Sequence, residues 1–149
     1  MEWQYELGKI AIPAVLGFLF GRLQTSYTDN VSRTKDIQNE LLKSIRTCTT
    51  SAIDYHSRSS SKDSWVTKAI HLKHQLLRIR TDVYLIKKLC KRSDEVLQSN
   101  LLDFFDAVTE FPFEANELPV DVDLGRFARI TLSAEKLVQE LTNCRPKLF

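Results

Sequence analysis

The sequence predicts an all-α fold, an N-terminal transmembrane helix followed by a bundle of about four helices with heptad-like seams. Three observations carry this expectation. Glycine and proline number only four each in 149 residues, and Gly8, Gly17 and Gly21 all fall within the first 21. The rest is rich in Leu, Lys, Glu and Gln, which favours long helices over strands, since strands need frequent turn chemistry. Apolar residues also recur at alternating spacings of four and three, the period of helix packing seams. Finally, one apolar, uncharged run stands near the N-terminus. A chain of this length holds one core, so the expected division is an anchor at 1–25 and a helical bundle at 26–149.

The N-terminal run Ile10 to Gly21 is twelve residues, about 18 Å of helix against about 30 Å of bilayer hydrocarbon. Snorkelling of Lys9 and Arg22 extends the insertable stretch to Tyr5–Leu23, about nineteen residues, with local thinning of the bilayer. Trp3, Tyr5 and Tyr27 flank it as interfacial aromatics. A cleaved signal peptide is disfavoured by the lack of a basic start and of a small-x-small cleavage site. An in-plane helix is disfavoured because the run has no polar face; a buried core helix is the remaining alternative. Ala11, Ala14, Gly17 and Gly21 line up along one helix face, a small-residue pattern that favours self-association in lipid, and Pro13 is tolerated as a kink. Arg22, Arg33 and Lys35 follow the span while only Lys9 precedes it. That bias predicts a single-pass protein of the inner (cytoplasmic) membrane with its C-terminal domain cytosolic. Cys48, Cys90 and Cys144 are odd in number and without a CxxC pair, which points to reduced thiols rather than a disulfide framework or zinc site.

Beyond the run, Tyr27, Val31, Thr34, Leu41, Ile45, Cys48, Ala52 and Tyr55 predict a long helix ending near His56, before the polar loop SRSSSKDS. Asp63 or Ser64 is the expected cap of the next helix. Trp65, Ala69, Leu72, Leu76, Ile79, Val83, Ile86 and Cys90 form its uninterrupted seam. Ile70, Leu77 and Tyr84 add a second apolar line and predict packing against two neighbours. A third helix opens at Ser93, Asp94 and Glu95, buries Leu97, Leu101, Phe104 and Val108, and ends before Pro112. The segment from Glu110 to Asp123 reads as a crossing loop. A fourth helix, about Val122 to Asn143, is expected to turn Leu124, Phe127, Ile130, Ala134, Leu137, Val138 and Leu141 inward.

The net charge of +2 hides a strong segregation. Between Ser64 and Arg92 there are eight Lys or Arg residues against Asp82 alone, and between Ser93 and Gly125 there are nine carboxylates and no Lys or Arg. One explanation is that the basic second helix lies beside the acidic third, or that both faces are solvated. The other is an anion site. Lys73, Arg80 and Lys87 are seven apart and run between the two apolar lines, where an unpaired buried row would be untenable. A multi-phosphate ligand bridging several copies would neutralise it. Arg58 and Lys62, in a serine-rich loop before a helix start, form a second anion candidate.

Nothing marks a catalytic centre. HExxH, GxSxG and a phosphate-binding glycine loop are all missing from the sequence. His71 and His74 have metal-pair spacing, yet no carboxylate or thiol sits at a suggestive distance, so surface histidines are expected and neither a metal nor a cofactor is assigned. Cys90 falls on the core seam as an inert thiol.

With an anchor at Ile10–Gly21 and a basic row at Lys73, Arg80 and Lys87, the layout resembles the small membrane effectors of type III CRISPR systems. The resemblance implies a cyclic oligoadenylate bound by the helical domain, membrane damage on binding, and a role in antiviral defence. The combined expectation is a non-enzymatic, self-associating membrane effector that binds an anionic ligand, with the bilayer and further copies as partners and no duplex nucleic acid. The alternative is a membrane-tethered adaptor that docks a protein partner through its charged bundle.

Overall fold

A computed structural model of the chain describes residues 2–57, 62–90, 94–110 and 123–145, with side chains at 16–57, 65–90, 95–110 and 123–145. The order is α1 (Glu2–His56), α2 (Lys62–Leu89), α3 (Asp94–Thr109) and α4 (Leu124–Thr142). No strand occurs among the described residues. The expected loop between α3 and α4 lies, apart from its ends, outside them.

Helix α1 is a single unbroken helix of 55 residues, about 80 Å long. It runs through the expected boundary at 25/26 without interruption. Thr25, Thr28 and Thr34 sit mid-helix because each hydroxyl donates to the carbonyl four residues back, at 2.9, 2.9 and 2.7 Å. Its packing line is regular: Phe20, Tyr27, Thr34, Leu41, Cys48 and Tyr55 recur every seven residues. From Thr34 onward that line is buried. Helix α4 starts where Asp123, in extended backbone conformation, accepts from the Arg126 backbone N–H at 3.2 Å.

Helix α2 packs on α1, α1 on α4 and α4 on α3, while α2 and α3 barely touch. One apolar core joins all four, with Tyr55, Leu41, Ile45, Leu72, Ile79, Ile86, Phe104, Ile130, Leu137 and Leu141 at its centre. Contacts at the two ends fix the sense of the helices. At one end His56 meets Val108 at the end of α3 and Arg126 at the start of α4, and the Tyr55 ring stacks on Trp65 at the start of α2, 4.9 Å between centroids. At the other end Gln38 of α1 donates to the Leu141 carbonyl near the end of α4. The helices therefore alternate up, down, up, down.

Three expectations are corrected. First, no helix among the described residues is long and apolar enough to cross a membrane, which removes the single-pass inner-membrane location. The physical reason is length: the uncharged run is short by roughly 12 Å of the hydrocarbon it must cross, and it leads into the polar stretch Gln24–Asn30 of the same helix. Second, the second apolar line of α2 is exposed rather than packed between two neighbours; Ile70, Leu77 and Tyr84 are 50, 59 and 56% exposed. Charges of α2 and α3 also reach other helices. Lys68 pairs with Asp54 of α1 at 2.6 Å, and Arg78 lies 4.0 Å from Glu40. The acidic end of α3 turns to α4, where Glu110 meets Arg129 at 2.7 Å and Arg126 at 3.6 Å. Third, Leu124 at the first position of α4 faces solvent, while Ser133 and Cys144 are buried instead.

Candidate interaction surfaces

The most unusual surface is the N-terminal part of α1. Every residue described from Leu16 to Asn30 is exposed, and Val31 is the first to be partly covered. With the preceding helical backbone from Glu2, this makes an arm about 45 Å long that leaves the bundle without a supporting helix among the described residues. Leu16, Leu19, Phe20, Leu23 and Tyr27 form its apolar stripe, all between 38 and 69% exposed. The stripe is collinear with the line that the bundle buries at Thr34, Leu41, Cys48 and Tyr55. A helix this long and isolated gains little stability in water from propensity alone, and the stripe is the face of α1 that packs wherever it has a neighbour.

Gly17 and Gly21 are exposed, and a methyl group added at either would meet nothing within 4 Å. They lie about 100° or more around the helix from the centre of the stripe, so the small-residue face and the apolar face of the arm are separate. Ala11 and Ala14 fall within α1, but their side chains lie outside those described.

The second surface is the flank of α2 away from α1. Val66, Ile70, Lys73, Leu77, Arg80, Tyr84 and Lys87 follow spacings of four and three, so apolar and cationic positions alternate along about 32 Å of helix. Lys73 and Arg80 are exposed and Lys87 is half-buried. The structure thus puts the three predicted ligand cations in one row, among exposed apolar side chains. The Lys88 ammonium lies 4.5 Å from the centre of the Tyr84 ring. Arg58 lies outside the described residues, and Lys62 opens α2 with its side chain outside them. The two do not join the row on anything observed.

A polar node closes the end of the bundle where α1 stops. His56 is buried, with Nε2 2.9 Å from the Val108 carbonyl and Nδ1 3.3 Å from Arg126 Nη1. Nε2–H donates and Nδ1 accepts, the neutral tautomer that both partners require. Around it Arg129 bridges Glu110 and Asp123 at 2.7 and 3.1 Å. Desolvation pushes the Asp123 carboxyl up, but the bonds from Arg129 and from the Arg126 and Gly125 N–H groups outweigh it and hold the carboxyl below its usual value. Nothing local in the sequence marks this node, because His56 reads as a helix terminus and its partners are 52 and 70 residues away.

Between α3 and α4 an open groove of about 460 Å³ is lined by Asp103, Asp106, Glu110, Arg129, Leu132 and Lys136, among others. Its charges are mixed and partly spent on each other. Among the described residues no group of three or more His, Cys, Asp or Glu side chains is placed to hold a metal ion. His71 bonds Gln75 at 2.9 Å and His74 is exposed. Comparison with known protein families, characterised proteins and solved structures finds no match for the chain.

Proposed function

We propose that the chain is a non-enzymatic, self-associating helical module, in which the bundle is a rigid base and the α1 arm is the element that pairs with another copy. The observation that supports this most is the seven-residue line of α1. Its last four members are core, and its first two, Phe20 and Tyr27, stand 69 and 38% exposed with Leu16, Leu19 and Leu23 beside them. A helix face patterned for knobs-into-holes packing is here without a partner among the described residues, and exposed apolar stripes of this kind mark interaction sites. Helix-in-groove and coiled-coil docking use this spacing of anchors.

The test is the mass of the intact chain by light scattering across a concentration series. Wild type should exceed the monomer mass. Phe20→Glu with Leu23→Glu should be monomeric at unchanged helical content, whereas Leu132→Glu on α4 should assemble like wild type. A wild-type chain that stays monomeric at hundreds of micromolar overturns the proposal.

The α2 flank supports a second reading, a docking site for an acidic, amphipathic helix of a protein partner. The alternation of Ile70, Leu77 and Tyr84 with Lys73, Arg80 and Lys87 suits such a helix better than a small polyphosphate, which gains nothing from three exposed apolar groups. Isothermal titration of the chain with a cyclic oligoadenylate separates the two: heat that disappears in Arg80→Glu favours the nucleotide, and no heat favours the helix.

A further inference from the structure

The first turn of α4 is held to the bundle by polar contacts rather than by core. The first buried residue of α4 is Ile130, while Leu124 is exposed and Phe127 half-buried. What fixes the turn before Ile130 is Arg126, whose side chain is 12% exposed, lies 3.6 Å from Glu110 of α3 and donates to His56 Nδ1 at 3.3 Å. With His56 neutral the node is balanced, since Arg126 and Arg129 face Glu110 and Asp123, and Arg129 is bound to both carboxylates. On the remaining sides of the ring, Tyr55 stands edge-on with centroids 4.8 Å apart, Lys68 of α2 is paired with Asp54, and Asp106 lines the same groove as Glu110 and Arg129.

We infer that His56 is a proton-operated latch: when its ring takes up a proton, the first turn of α4, Asp123 to Phe127, swings off α1 about the Glu110–Arg129 pair, while the core from Ile130 onward stays closed. Nδ1 is the one acceptor of the neutral ring, and protonation turns it into a donor. It then meets the Arg126 N–H donor head on, as a third cation in a node whose two carboxylates are already engaged. Charges so little exposed are screened weakly by solvent salt. The Val108 bond survives, because Nε2–H donates in both states, so α3 keeps its tie to α1 and the start of α4 is the part that moves. The opposite end is untouched, since the bond there joins Gln38 to the Leu141 carbonyl and neither group titrates. Burial makes the folded chain resist the proton, which keeps the latch closed at neutral pH and opens it in mild acid.

Spin-label distances within the intact chain test the latch, with labelled chain diluted in unlabelled chain. Cys48, Cys90 and Cys144 are buried, so cysteines introduced at exposed positions are labelled selectively. Thr50→Cys with Leu124→Cys reports the latch end, and Asn39→Cys with Gln139→Cys the opposite end; all four positions are exposed. Between about pH 7.5 and about pH 5 the first distance should lengthen and broaden while the second stays constant. His56→Gln, whose amide donates to Val108 and accepts from Arg126 without titrating, should hold the first distance at both pH values. Arg126→Gln, which removes the facing cation and can turn its amide oxygen to a protonated ring, should hold it too. A first distance unchanged in acid, both distances moving together, or opening in both variants as in the parent chain overturns the latch.

Discussion

His56 shows how one side chain joins three helices. It ends α1, donates to the last turn of α3 and accepts from the first turn of α4. Burial lowers its pKa below 6.5, opposed by the Val108 bond; Arg126 lowers it further and Glu110 raises it, with a net downward shift. The unfolded chain takes up a proton near pH 6.5 that the folded chain resists. This contribution to stability is therefore full above pH 6.5 and declines as the pH falls towards the folded value. The urea midpoint should drop between pH 7 and pH 5 in wild type, and less in His56→Phe. That variant should also lose about 1–3 kcal/mol at pH 7, since the Val108 carbonyl is left without its donor. A wild-type midpoint that is flat over this range contradicts the assignment. Asp123, held below 3.8, acts in a separate window further down. The thiols give a second check at this scale. Burial pushes Cys48 up to about 12, and Cys90 and Cys144 are buried too. A thiol reagent should titrate no cysteine in the native chain and all three in denaturant.

Among the elements, α1 departs furthest from expectation. The apolar period that identified α1 and α2 was legible because burial and the four-three spacing coincide in them: Leu41, Ile45, Cys48, Ala52 and Tyr55, and the whole seam from Trp65 to Cys90, are buried as read. The same period says nothing about whether a partner is present. Ile70, Leu77 and Tyr84 keep the spacing and face solvent, because α2 and α3 barely touch and no other described helix closes on that flank. The arm carries the same ambiguity, as an uncharged run attracts a membrane reading or a helix-pairing reading alike. Gly17→Ala with Gly21→Ala separates the two packing faces of the arm. Each change should raise helix stability by about 0.5–1 kcal/mol, as no described residue beyond the helix's own adjoining backbone stands within 4 Å of the added methyl. Assembly should be retained, since the stripe lies elsewhere. Loss of assembly in the double variant would move the contact to the small-residue face.

Over the whole molecule, the all-α class and the four helices follow from pattern, whereas the pairing of helices does not. Charge segregation left open α2 beside α3, two solvated faces or an anion site, and none of these names the pairs between other helices: Asp54 and Glu40 of α1 meet α2, and Arg126 and Arg129 of α4 meet Glu110. Composition counts charges by segment, while pairing depends on which side of each helix they occupy, and that is set by the packing of the core. The core itself tolerates little loss. Phe104→Ala, at a fully buried site, should cost about 3–5 kcal/mol in chemical denaturation. The bundle is thus a firm base from which a single unsupported helix projects, and the account depends on that helix being covered by another copy. Amide hydrogen exchange over a protein concentration series tests this most directly. The account expects protection of the amides from Leu16 to Val31 to rise with concentration while those from Leu41 to Tyr55 stay constant. Exchange of the arm that is fast and the same at every concentration would contradict it.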